Sequence, residues 1–165
     1  MVDIDDICGH AEPAWKAEGD TFLMCDLGGS GLPGRWEQLW AKRTGTDEFV
    51  VCAIPLFADG IALGDHVTAR PANGFDLVVD SVVRSAGNAV LRVYFREGAE
   101  VWETQDRQTE LIRLIGELDL LSETGLLGHV AISCPWDSPQ YGELEKLLHA
   151  YTLLEWSDYE SGTRR

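Results

Sequence analysis

Alternation of apolar and polar residues dominates the first two-thirds of the chain. Between residues 35 and 43 the side chains fall alternately on two faces, with Glu37, Leu39 and Ala41 on one of them, which is the two-residue period of a β-strand. The Asn73-Gly74 pair favours a tight hairpin, and residues 85–88 favour a second turn. The last three strands of this region are therefore expected to be consecutive and antiparallel. In all, the pattern predicts strands at residues 21–27, 35–43, 48–54, 65–70, 75–84 and 90–96.

After residue 97 the apolar period becomes that of a helix. A stripe of aliphatic residues predicts one helix at about 105–120, with Thr104 as its N-cap. Ser138 followed by Pro139 predicts the start of a second helix. Further strands are predicted at 127–133 and 152–157. The first stripe consists of Leu111, Leu114, Ile115, Leu118 and Leu121.

The order of these elements predicts an α+β fold in a single domain, residues 1–165. An antiparallel, curved or barrel-like sheet would occupy the N-terminal two-thirds. It would join a βαβαβ two-helix layer whose first strand is 90–96. We divide the domain into a mainly β sub-lobe, 21–96, and an α/β sub-lobe, 97–160, and leave residues 1–20 unassigned.

Composition narrows the functional classes. The chain has 165 residues, with 28 acidic and 13 basic side chains, so its formal net charge is −15. Such a chain would be repelled by nucleic acid and by anionic lipid, and it would be attracted to a basic protein. The longest apolar stretch, 49–58, is too short to span a membrane, and the acidic N-terminus does not resemble a secretory signal. We expect a cytoplasmic protein that binds neither nucleic acid nor membrane.

Cysteines and histidines are too scattered to predict a metal site. No Cys-x-x-Cys or His-Glu-x-x-His pattern occurs, so we expect no metal and no cofactor. In a cytoplasmic protein the thiols are expected to act as small core residues. The residues concerned are Cys8, Cys25, Cys52, Cys134, His10, His66, His129 and His149.

The stretch from Glu37 to Arg92 resembles a bacterial family known as domain of unknown function 4265. The similarity rests on Glu37-Gln38-Leu39-Trp40-Ala41, on residues 54–67 and on residues 85–88 leading to Arg92. It is strongest over about residues 34–96. The resemblance implies a small bacterial cytoplasmic protein and supplies no catalytic residue.

Several residues of these motifs have a structural explanation. Asp65 is predicted to accept backbone N–H groups where the chain turns into a strand. Arg92 is predicted to lie on a sheet face and to pair with Asp80 or Asp76. The glycine-rich loop 28–34 lacks the Lys-Ser/Thr ending of a phosphate-binding loop. No motif of nucleophilic catalysis is present, so we expect a protein that is not an enzyme.

Two functions of different classes remain, besides a purely structural role. The first is a protein-binding module, most concretely an immunity-type inhibitor that neutralises a basic partner such as a cognate toxin. The second is a small-ligand-binding protein or enzyme with a pocket in the curved sheet, formed by Asp65, His66 and Arg92. The partner-binding surface expected for the first consists of Glu97, Glu100, Trp102, Glu103, Asp106, Glu110 and Trp136.

Overall fold

The computed structural model describes residues 6–96, 101–125, 128–154 and 156–163. Within these ranges the chain forms ten strands and two helices, in an order that confirms an α+β fold. The elements are β1 (Ile7–Gly9), β2 (Thr21–Asp26), β3 (Trp36–Arg43), β4 (Glu48–Val51), β5 (His66–Ala72), β6 (Phe75–Arg84), β7 (Asn88–Phe95), α1 (Val101–Glu117), β8 (Leu121–Thr124), β9 (His129–Pro135), α2 (Pro139–Leu153) and β10 (Ser157–Thr163).

The first sheet contains six strands in the order β1-β3-β2-β6-β5-β4. It is mixed, because β1 runs parallel to β3 and β2 runs parallel to β6. The last strand of this order, β4, also pairs with β3. However, β2 and β6 meet at one register pair, Met24 with Val78. The expected antiparallel sheet is thus a mixed one, and it is not a clear barrel.

The second sheet is antiparallel and has the order β10-β7-β9-β8. Together with the two helices it gives the series β7-α1-β8-β9-α2-β10, which is a split βαβ arrangement. The predicted βαβαβ layer is therefore incomplete, since it lacks β8. The strand β8 has only four residues, and its first residue, Leu121, continues the apolar spacing of the predicted helix.

Both faces of the second sheet are covered. On one face Leu91 and Val93 of β7 pack with Leu111 of α1 and Leu144 of α2. On the other face Val90 packs against Ile54 and its neighbours, which follow β4. Since successive side chains of a strand point to opposite faces, a strand covered on both sides is buried along its whole length. This explains why Ala89 to Val93 is an uninterrupted buried run.

The predicted meander of three antiparallel strands is wrong in its last strand. The β5–β6 hairpin forms with Asn73 and Gly74 at positive φ, 53° and 87°, as its turn requires. The chain then leaves the first sheet, and β7 pairs with β9 and β10. Residues 85–88 are a link between sheets, with Gly87 at φ 80°, rather than a hairpin turn.

Helix boundaries also differ from those expected. Thr104 lies inside α1, which begins at Val101. Residues 152 and 153 end α2, so the strand predicted at 152–157 is instead β10, which starts at Ser157. Ser138 does occupy the N-cap of α2 with Pro139 after it, but its hydroxyl donates to the carbonyl of Pro135 at 2.7 Å. Neither described helix has the length and apolarity that crossing a bilayer requires.

Candidate functional site

A segment between the two sheets organises the candidate site. We call residues 54–59 the junction segment. It follows β4 and carries Ile54 and Leu56 into the core beneath β7 and β9, where they contact Val90 and Ala131. The segment forms no strand, so its backbone polar groups need partners from elsewhere. The N–H of Asp59 donates to the hydroxyl of Ser30 at 2.9 Å, and the other partners described below are charged side chains.

Two buried glutamates accept the N–H groups of the junction segment. Glu37 of β3 accepts from Leu56 at 2.6 Å, Phe57 at 3.1 Å and Ala58 at 2.7 Å. Glu123 of β8 accepts from Ile54 at 2.6 Å. One carboxylate comes from each sheet, so together they fasten the segment to both.

His10, just after β1, lies between these two carboxylates. Its Nε2 is 2.9 Å from Oε1 of Glu37, and its Nδ1 contacts Oε2 of Glu123. The side chains are almost wholly inaccessible, with 2% of His10 and none of Glu37 exposed. A protonated imidazole donates from both nitrogens, so the geometry is that of an ion triad.

The electrostatics of the triad favour a charged histidine. Burial alone would lower the pKa of His10, but its hydrogen bonds to Glu123 and Glu37 outweigh that effect and raise the pKa to about 9. Burial would raise the pKa of Glu37, yet His10 and the N–H groups of Leu56 and Ala58 hold it below its usual value. The triad therefore carries charge at neutral pH.

Arg92 of β7 holds the carbonyl side of the same segment. Its guanidinium is 1% exposed and donates to the carbonyls of Ala58 at 2.6 Å and Pro55 at 3.4 Å. It also pairs with Asp59 at 2.8 Å and lies 3.6 Å from Glu160 of β10. The expected pairing of Arg92 with Asp80 or Asp76 is wrong, because Asp80 pairs with Arg70 and Arg92 points to the junction segment.

A buried histidine, His129, lies next to this segment. In the part of the chain that the structure describes, neither ring nitrogen of His129 is paired. The His129 ring stacks on Tyr94 with ring centroids 4.6 Å apart, and its centroid lies 4.9 Å from that of Phe57. Burial, with a smaller contribution from Arg92, lowers the pKa of His129 to about 4. It is thus neutral at pH 7, with one donor and one acceptor unused.

A cavity of about 640 Å³ opens beside the triad. Aromatic walls come from Trp36 of β3 and Phe57 of the junction segment, and Asp6 and Arg35 form an ion pair at 3.5 Å. We call this cavity the cleft. Its remaining lining residues are Ile7, Cys8, Gly9, Ala11, Leu27, Leu32, Thr124 and Gly125.

The polar groups of the junction are bonded to one another and to the backbone. Both carboxylates of the triad are occupied by His10 and by backbone N–H groups, and they lie at opposite edges of the imidazole. Burial and the nearby Glu37 raise the pKa of the Cys8 thiol to about 11, so it is not a thiolate at neutral pH. Within the described ranges no group of three or more ligating side chains is arranged to hold a metal. The arrangement positions backbone and shapes a cavity.

The three residues of the predicted sheet pocket contact different parts of the chain. Asp65 accepts N–H groups from Ala62 at 2.9 Å and Ala86 at 2.8 Å, which confirms its predicted role in the turn. His66 lies on β5 against Arg84. Arg92 faces the junction segment. The cleft is formed by other residues, between the sheets.

The predicted partner-binding residues lie at different ends of the second sheet. Trp102 is 61% exposed on the first turn of α1, with Glu103 and Asp106 close behind it. Trp136 is 42% exposed, but it follows β9 at the end where Asn88 pairs with Pro135. The first turns of α1 lie at the opposite end of the sheet, where β9 begins. There the N–H of Gly128, just before β9, donates to the side chain of Gln108 of α1. Glu110 pairs with Arg113 within α1 at 2.7 Å. Glu97 and Glu100 lie outside the described residues.

Further apolar side chains are exposed at the same end as Trp102. The helix α2 ends there, since Ser157 at the start of β10 pairs with Phe95 at the end of β7. Arg107 of α1 lies over the ring of Trp156 at 4.0 Å and links the two helix ends. Val101, Trp102, Leu153 and Leu154 are all more than 60% exposed. We call these four residues the helix-end patch.

Comparison with known proteins places this architecture in a family. A family model for a domain of unknown function, DUF4265, matches residues 37–159, which is most of the chain. The chain belongs to the DUF4265 family. The match confirms the resemblance seen in residues 37–92 and extends it through α2 and into β10. It begins at Glu37, the β3 member of the triad.

The fold has a solved counterpart. The chain is similar to a crystal structure described as that of a hypothetical protein from Neisseria gonorrhoeae, with a TM-score of 0.67 and 19% sequence identity. The similarity covers 87% of this chain and 94% of the other. At that identity the comparison shows a shared fold. A comparison with curated proteins gave no match.

Proposed function

We propose that this DUF4265 protein is a protein-binding module that binds a basic partner through the helix-end patch. One observation carries the proposal. Of nine large apolar side chains exposed in the described part of the chain, four are these residues at one end of the helical layer. Exposed apolar residues that include a tryptophan and share one end of a protein are typical of interaction surfaces.

The charge of the chain supports a basic partner. Its formal net charge is −15, and Glu103 and Asp106 adjoin Trp102 on α1. Acidic side chains beside an apolar surface accelerate encounter with a positively charged surface. Of the predicted partner-binding residues, Trp136 is distant from this patch and is left out of the proposed contact.

The concrete form of this proposal is an immunity-type inhibitor. Such a protein would neutralise a basic toxin enzyme by covering its surface, and it would need no catalytic group of its own. The four cysteines are free thiols, which fits action in the reducing cytoplasm. The absence of membrane-binding and nucleic-acid-binding roles stays a prediction from charge.

Affinity capture with matched variants tests the proposal. The tagged protein is compared with a Trp102→Ser, Leu153→Ser double variant and with a Phe22→Ser, Val83→Ser control, which removes exposed apolar side chains from the first sheet. We expect one basic protein, in near-stoichiometric amount, to bind the wild type and the control but not the patch variant. Equal capture by all three proteins would contradict the proposed patch. Failure of the wild type to capture any protein in near-stoichiometric amount would contradict the proposed function.

A further inference from the structure

We propose that the cleft is a binding site for an uncharged aromatic molecule of two or three rings that carries one hydrogen-bonding group. The site is separate from the helix-end patch and does not depend on the proposed partner. It differs from the pocket expected from the sequence, because none of Asp65, His66 and Arg92 lines it.

Size and lining indicate the ligand class. A volume of about 640 Å³ lies inside the range of roughly 300–1,000 Å³ that small-molecule sites occupy. Trp36 and Phe57 provide aromatic surfaces, and Ile7, Leu27 and Leu32 provide aliphatic ones. Such walls favour a flat apolar molecule over a sugar or a nucleotide.

Charge argues for a neutral ligand. The described lining contains one acid and one base, Asp6 and Arg35, and they pair with each other at 3.5 Å. A charged ligand would have to compete with that pair. An anion would also meet the field of a chain whose formal net charge is −15.

The unpaired His129 is an independent sign that something polar belongs here. Its ring lies directly behind two lining residues. It contacts Phe57, and its Nδ1 is 3.2 Å from the position that a Cβ on Gly125 would take. A buried polar group without a partner destabilises the fold, so native structures rarely leave one. A ligand group that reached the ring beside Gly125 would supply one of its two missing hydrogen bonds.

Two fluorescent probes that share one aromatic skeleton test the ligand class. N-Phenyl-1-naphthylamine is uncharged and has one N–H, whereas 8-anilinonaphthalene-1-sulfonate adds a negative charge to the same rings. We expect saturable binding of the neutral probe with a dissociation constant at least about tenfold lower than that of the sulfonate. No saturable binding of the neutral probe, or tighter binding of the sulfonate, would overturn the proposal.

Matched glycine variants locate the binding. Gly9 lines the cleft and Gly142 lies on α2; at both positions an added Cβ meets nothing within 4 Å and φ is not positive. Gly9→Phe should weaken binding of the neutral probe at least about tenfold, whereas Gly142→Phe should leave it unchanged. Should Gly9→Phe fail to fold, Leu32→Trp fills the cleft from an exposed loop. Unchanged binding in a folded cleft variant would refute the site.

Histidine NMR gives a second, direct readout. The neutral probe should shift the ring resonances of His129 and leave those of His149, which is exposed on α2, in place. Loss of probe binding in the Trp102→Ser, Leu153→Ser variant instead would place the probe on the helix-end patch. That result would refute the cleft site while leaving the proposed protein-binding function standing.

Discussion

Replacing His10 with glutamine should destabilise the fold in a way that depends on pH. The pKa of His10 is about 9 in the folded protein and 6.5 in its unperturbed form, a difference of about 2.5. At about 1.4 kcal/mol per pKa unit, protonation of His10 within the triad contributes on the order of 3 kcal/mol to the free energy of unfolding. The folded-state pKa is the higher one, so this contribution is complete below pH 6.5 and is lost as the pH rises through 9.

Urea unfolding of the wild type and His10→Gln at pH 6, 8 and 10 measures this contribution. The stability gap between the two proteins should shrink by about 3 kcal/mol from pH 6 to pH 10. Other groups that titrate in this range act on both proteins and cancel in the difference. His149→Gln is the matched control, because His149 is exposed on α2, and it should track the wild type. A gap that stays constant from pH 6 to pH 10 would refute the charged triad.

Three further outcomes are expected. Arg92→Met should lower the free energy of unfolding by about 3 kcal/mol in urea titrations, because two buried carbonyls lose their donor. The control Arg96→Met removes the exposed pair with Asp158 and should cost less than about 1 kcal/mol. Gly74→Ala should cost about 1 kcal/mol in thermal unfolding, because φ is 87° there. Glu103→Lys with Asp106→Lys should leave the fold intact and slow association with the captured partner on the order of tenfold at low salt, measured by stopped flow, with the difference vanishing at high salt.

Local chemistry made most of the fold predictable. Alternation found β3, the Asn73-Gly74 pair found the β5–β6 hairpin, and Ser138-Pro139 found the start of α2. The pairing of β7 was not predictable in this way, because its apolar run suits either sheet. A meander requires sequence neighbours to be spatial neighbours, whereas after Gly87, at φ 80°, the chain enters the second sheet.

The triad was missed because its members are far apart in sequence. His10 belonged to a region without periodicity, and Glu123 lies in a strand of four residues. One signal was present: Glu37 shares the inward face of β3 with Leu39 and Ala41, where an unpaired carboxylate would be costly. The cleft had no sequence signal, since its walls come from β1, β3, the junction segment and the end of β8.

Site-specific photo-crosslinking in cells tests the central claim, that the helix-end patch contacts a basic protein. Benzoyl-phenylalanine is placed in separate experiments at position 102 and at position 136, the exposed tryptophans at opposite ends of the second sheet. The account predicts one adduct with a basic protein from position 102 and none from position 136. An adduct from position 136 alone, or no adduct from position 102, would contradict it.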